Sequence, residues 1–150
     1  MYMDESGVDD TLCRQYGRAL RGEEVPGEIS GKKSNRISII AARRQNKTIA
    51  PLRFEGYCNT EVVNVWAAKC LAPCLKPGDV LICDNASFHK ASQMKNIVER
   101  KGARLLPLPT YSPDLNPIEQ YWAISKARIR KYRQSGQPLE EILDEVLCMS

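Results

Sequence analysis

LICDNASFHK (residues 81–90) and PTYSPDLNPIEQYW (residues 109–122) decide the fold of this chain. Val80-Leu81-Ile82-Cys83 is a continuous apolar run with turn formers on both sides, Pro77-Gly78-Asp79 before it and Asp84-Asn85 after it. Such a run suits a strand covered on both faces. Asp84 then closes a central strand at its carboxyl end, where open α/β sheets place their ligands. Asn116-Pro117 opens a helical pattern that carries Glu119 in its first turn. A third acid, Asp4 in MYMDESG (residues 1–7), ends the short apolar run Met1–Met3, after which Asp4-Glu5-Ser6-Gly7 breaks the strand.

Working outward, Arg36 to Ala42 carries Ile37, Ile39 and Ile40 and reads as a strand. Gln45-Asn46-Lys47 turns the chain, and Thr48 to Phe54 returns as the other arm of a hairpin. Pro51 marks that return as an edge or irregular strand. Asn59 caps a helix whose apolar face includes Val62, Val63, Val65, Trp66, Cys70 and Leu71, ended by Pro73 and Pro77-Gly78. Lys90 to Lys101 is helical in pattern, with Gly102 as its stop. Arg104-Leu105-Leu106 is a short strand, Pro107 to Pro117 a stiff proline-held loop, and Pro117 to about Arg133 a long helix. A last amphipathic helix spans Leu139 to Leu147. Residues 8–35 are polar, glycine-bearing and basic, a long connection of the kind that is usually functional or poorly ordered. The order predicts an α/β fold with a mixed sheet flanked by helices.

The chain has 150 residues, the size of one domain spanning 1–150. Its composition is that of a globular protein, with 43% apolar and 27% charged residues and a net charge of +4. A mildly basic balance admits a polyanionic partner without specifying one. No apolar run approaches the roughly 18 residues of a membrane span, and the N-terminus lacks a signal-peptide layout, so no membrane partner and a cytoplasmic location are expected. The cysteines (Cys13, Cys58, Cys70, Cys74, Cys83, Cys148) are irregularly spaced without C-x-x-C, which supports neither a zinc site nor a disulfide framework.

Three carboxylates brought together make a hard-oxygen site for Mg²⁺ or Mn²⁺. Two such ions roughly 3.5–4 Å apart serve phosphodiester chemistry by stabilising entering and leaving oxygens. Each acid also has an ordinary explanation: Asp4-Glu5 as turn acids, Asp84-Asn85 as an Asx turn, and Asn116-Pro117-Ile118-Glu119 as a capping box. Periodicity and spacing leave both explanations standing.

MYMDESG, DNASFHK and LPTYSPDLNPIEQYW together resemble the three signatures of DDE transposases, in particular the bacterial insertion-sequence branch of the mariner superfamily. Asp84 and Glu119 are separated by 34 residues, as is typical of that branch. The likeness extends over nearly the whole chain, FEGYCNTEVVNVW included. It implies an RNase H-like fold, two catalytic Mg²⁺ or Mn²⁺ ions, and cleavage and joining of double-stranded DNA at element ends and target by a homodimer. The family's acids fall on Asp4, Asp84 and Glu119. Its members carry a helix-turn-helix region before the first Asp, which is absent here. The chain is therefore expected to be a catalytic half: one frame of a frameshifted element, a degraded copy, or a late-called start. It would act in a bacterial cytoplasm, on the nucleoid. A plain RNase H-like nuclease, or an inactive remnant that binds DNA or full-length transposase, are the competing functions.

Around the triad, His89 is a candidate for supporting the site or contacting a phosphate, and reads equally as a polar residue at a helix N-terminus; Asn85 could position water or a carboxylate, or shape the turn. Trp122, one helical turn after Glu119, reads as packing, and Tyr111 as a loop anchor or a stacking residue. Lys126, Arg128, Arg130, Lys131 and Arg133 crowd the end of the long helix, where they complement its dipole and suit phosphate contacts. Arg14 and Arg18 of the basic connection are further candidates for DNA contact.

Overall fold

The computed structural model describes residues 1–9, 12, 36–90, 93–109, 112–133 and 136–148. Among these residues, five strands form one mixed sheet in the order β3-β2-β1-β4-β5. They are β1 (Tyr2–Asp9), β2 (Arg36–Arg44), β3 (Lys47–Glu55), β4 (Val80–Cys83) and β5 (Arg104–Pro107). β1 to β3 form an antiparallel meander; β4 lies parallel to β1, and β5 parallel to β4. The helices are α1 (Thr60–Trp66), α2 (Ser87–Lys90), α3 (Met94–Arg100), α4 (Ile118–Arg133) and α5 (Leu139–Cys148).

The strand alternation sorts side chains onto two faces. Met3, Ile40, Ala42, Leu81 and Cys83 face one core, closed by Val63, Trp66, Leu71, Met94 and Val98 from the α1 and α3 side. Val8, Ile39 and Ala41 face the other, closed by Ile118, Trp122 and Ile129 of α4 and Ile142, Leu143 and Val146 of α5. Each fully buried large side chain contributes about 1.5–3 kcal/mol. Trp66 is fully buried and its Nε1–H donates to the Ala50 carbonyl at 2.6 Å, which ties α1 to β3.

Several boundaries differ from the sequence expectation. β1 does not stop at Asp4 but runs on to Asp9, because β2 pairs with it throughout, Asp4 opposite Ala41 and Asp9 opposite Arg36. The apolar run of β4 is fully covered on one face only. Leu81 and Cys83 are buried, while Val80 and Ile82 are half-buried. β1, not β4, is the central strand, and β4 stands between it and the edge strand β5. β3 is the opposite edge, as Pro51 indicates. The helical pattern after Asp84 divides into α2 and α3, with Gly102 (φ 72°) ending the second. α1 passes through a π-helical turn, Ala67–Leu71, into a 3-10 turn, Ala72–Cys74, that holds Pro73, and Val65 is exposed, not on its buried face.

Candidate active site

β1 and β4 bring two of the acids side by side. Tyr2 is the register partner of Ile82 in the parallel pair. Two residues further along the chain from each stand Asp4, within β1, and Asp84, one residue past the end of β4. Neighbouring strands lie about 4.8 Å apart, and a step of two keeps side chains on one face. Asp4 therefore shares the α4 face with Tyr2 and Val8, which belong to that core. Glu119 comes from that side too, exposed in the first turn of α4. The helix is seated by Ile118, Trp122, Ser125 and Ile129, buried at helical spacing. Tyr121 adds a second anchor, its ring 4.0 Å beneath the Arg43 guanidinium.

The electrostatics record this gathering. Burial, followed by the Glu5 carboxylate and then by Asp84 and Glu119, raises the Asp4 carboxyl to about 7. Asp84 and Glu119 thus both lie within electrostatic reach of Asp4. Among the described residues, no three His, Cys, Asp or Glu side chains converge closely enough to form a ready-made metal cage. The donor set is nonetheless all carboxylate, and Asp84 is about half exposed, with 47% of its side chain accessible. Mg²⁺ holds several of its waters and takes only one or two protein carboxylates, and carboxylate oxygens are the donor type that suits it.

Asp84 is fixed from behind. Its Oδ1 accepts from the Ala86 backbone N–H at 3.1 Å, which realises the Asx turn, and pairs with His89 Nδ1 at 2.6 Å. His89 Nε2 pairs in turn with Glu5 Oε1 at 2.5 Å. Burial opposes charge on the imidazole, yet its bonds to the two carboxylates prevail and hold its pKa at about 9. At neutral pH it is an imidazolium donating one N–H to each acid. The bond to His89 holds the Asp84 carboxyl below its ordinary range, against the opposite effect of burial. Cys58 Sγ also lies 3.6 Å from Glu5 Oε1, and burial together with Glu5 pushes its thiol up to about 12, so it stays protonated.

Glu5 is the residue that sequence reasoning missed. As a neighbour of Asp4 it reads as a turn acid; only because β1 continues does it point to the opposite face from Asp4, toward His89. Asn85 lies half-buried at the start of the same turn. The capping-box bond expected from Asn116 is not made. Its backbone carbonyl accepts from Glu119 N–H at 3.0 Å, while its buried Oδ1 has no partner among the described residues. Trp122 packs under the helix as expected. Arg128 and Lys131 are exposed on α4; Lys126, Arg130 and Arg133 are half-buried. Arg14, Arg18 and Tyr111 lie outside the described residues.

Comparison with known proteins agrees with this architecture. The chain is 27% identical over 116 residues to the Tc3 transposase of Caenorhabditis elegans, covering 75% of this chain and 35% of that one. It is 38% identical over 53 residues to the Tcb1 transposase of Caenorhabditis briggsae, covering 35% of this chain and 19% of that one. It therefore spans about a third or less of the length of these curated relatives. The protein in the Mos1 strand transfer complex superposes with a TM-score of 0.62 over 97% of this chain and 49% of its own, at 16% identity. That likeness is one of fold, an RNase H-like mixed sheet flanked by helices. A family model described as DDE superfamily endonuclease matches residues 1–141, and the chain belongs to that family.

Proposed function

We propose that the chain is the catalytic core of a transposase that cleaves DNA phosphodiesters and joins the freed ends, using Asp4, Asp84 and Glu119 to hold divalent ions. The observation that supports this is the register of β1 against β4, Tyr2 opposite Ile82, with Asp4 and Asp84 each two residues further on. Mg²⁺ or Mn²⁺, two ions in the full site, would supply activation of the attacking water or 3′-hydroxyl and stabilisation of the leaving oxygen. The chain's own residues do the remainder. Asp4 and Asp84 present oxygens from rigid strands, Glu119 closes the site from a helix seated on the core, and the Asx turn with His89 holds Asp84 in one orientation.

The DNA-contacting surface is proposed to include Lys126, Arg128, Arg130, Lys131 and Arg133, which run along α4 away from Glu119, with Arg14 and Arg18 joining from the basic connection. The duplex partners are element ends and target, engaged by a homodimer on the bacterial nucleoid. No helix among the described residues is long and apolar enough to cross a membrane.

The test is supercoiled plasmid and pre-cut element-end DNA incubated with the protein and Mg²⁺ or Mn²⁺. Nicking and joining by the wild type, with both abolished in Asp84→Asn and Glu119→Gln variants that melt like the parent, supports the proposal. Nicking without joining makes the protein a plain nuclease. Salt-sensitive binding with no nicking makes it a binding remnant.

A further inference from the structure

We propose that Glu5 is a positioning residue for the site. Its carboxylate fixes the His89 imidazole, and the imidazole fixes Asp84. The proposal rests on the reading of Asp84 as a metal-bearing carboxylate. Its basis is geometric. One strand contributes two successive acids to opposite faces, Asp4 toward α4 and Glu5 toward α2. His89 then spans from Glu5 Oε1 (2.5 Å) to Asp84 Oδ1 (2.6 Å), crossing from β1 to the turn that follows β4.

Burial differs sharply along this chain of contacts. The imidazole is 2% exposed and the Glu5 side chain 13%, while Asp84 is 47% exposed. The two inner members cannot contact DNA directly; they act through the outer one. Asp84 stands beyond the last paired residue of β4, where the ladder no longer restrains it and a half-exposed aspartate would sample several rotamers. The bonds from His89 and Ala86 both end on Oδ1, which leaves Oδ2 to meet an ion. Glu5 is itself held by the Cys58 thiol just before the α1 cap Asn59, so the brace joins β1, the entry to α1, and α2. Partners of ligating groups behave in this way generally, and their removal costs roughly 10–100-fold in metal affinity or activity.

The experiment uses the whole chain and the variants Glu5→Ala, Glu5→Gln, His89→Asn and the Glu5→Ala/His89→Asn double. Three quantities are read: the Mn²⁺ dissociation constant by electron paramagnetic resonance, the cleavage rate at saturating DNA, and the imidazole N–H signals by ¹H–¹⁵N NMR. His89 is the only histidine, so those signals need no assignment. Glu5→Ala is expected to weaken Mn²⁺ binding and slow cleavage by roughly 10–100-fold, leave DNA affinity unchanged, and expose the Nε2–H to fast exchange. Glu5→Gln, which keeps an acceptor oxygen, should recover most of the loss. In the His89→Asn background, removing Glu5 should change Mn²⁺ affinity by less than about twofold, the non-additivity expected of groups acting in series.

A folded Glu5→Ala protein that binds Mn²⁺ within twofold of wild type overturns the proposal, as do effects of the two substitutions that simply multiply. Mn²⁺ binding indifferent to Asp84→Asn overturns both this proposal and the functional reading beneath it. Binding that depends on Asp84 without any DNA cleavage overturns the transposase reading alone, and the Mn²⁺ affinities then still decide the role of Glu5.

Discussion

Tyr2 of β1 and Ile82 of β4 are partners across the one parallel pairing that joins the antiparallel meander to the βαβ half of the sheet. A one-residue slip of that register would turn Asp84 to the opposite face from Asp4. The slip is opposed by Met3, Leu81 and Cys83, all buried in the same core, and by the Ile82 N–H, which donates to the Met1 carbonyl at 2.8 Å. The placement of two acids thus follows from apolar packing one residue away from each.

Metal-free protein should lose stability as pH rises from about 5 to 9. Asp4 is protonated more readily in the folded state (pKa about 7) than in the unfolded chain (3.8), so stability falls as pH passes between those values. His89, raised to about 9 from 6.5, stabilises fully below 6.5 and ceases to do so as pH rises through 9. Asp84, shifted down, stabilises above 3.8 and so does not oppose the trend in this range. Thermal melts with chelator across this range are expected to show a falling Tm, with the lower part flattened in Asp4→Asn. A Tm that rises with pH would contradict the environment described for Asp4.

Duplex binding should depend on the exposed cations of α4. Replacing Arg128 and Lys131 by Gln is expected to lower affinity equally for all sequences. The slope of log K against log salt should shrink by about 0.9 for each phosphate that is no longer neutralised. Fluorescence anisotropy from 50 to 200 mM salt reads it. An unchanged slope would move the DNA path off this helix.

Trp66 offers a test of the packing that holds the sheet. Trp66→Phe leaves the Ala50 carbonyl without its donor inside the core and should cost about 1–3 kcal/mol. Trp66→Ala adds a cavity and should cost about 3–5 kcal/mol. Urea denaturation of the two variants gives both numbers.

Much of the fold was readable in local signals. The hairpin of β2 and β3, the Asn59 cap with its 2.9 Å bond to Val62 N–H, and the start of α4 at Asn116-Pro117 each announce themselves in a few residues. What the sequence concealed depends on partners distant in the chain. Asp4 to Gly7 resembles a break because acids and glycine disfavour strands, yet pairing with β2 carries the strand through. The openness of β4 on one face reflects which helices lie over it, which no window of four apolar residues can report. Glu5 stayed hidden for the same reason: its partner, His89, is 84 residues away. The acids of the proposed site were nameable from their motifs, but the contacts behind Asp84 needed the register of β1.

The most direct measurement is anomalous scattering from crystals soaked in Mn²⁺. Two peaks roughly 3.5–4 Å apart, one between Asp4 and Asp84 and the other touching Glu119, are expected, and Asp84→Asn should erase the first. Mn²⁺ bound elsewhere, with no peak within ligand distance of Asp4 and Asp84, would contradict the assignment of these carboxylates as the metal-holding centre.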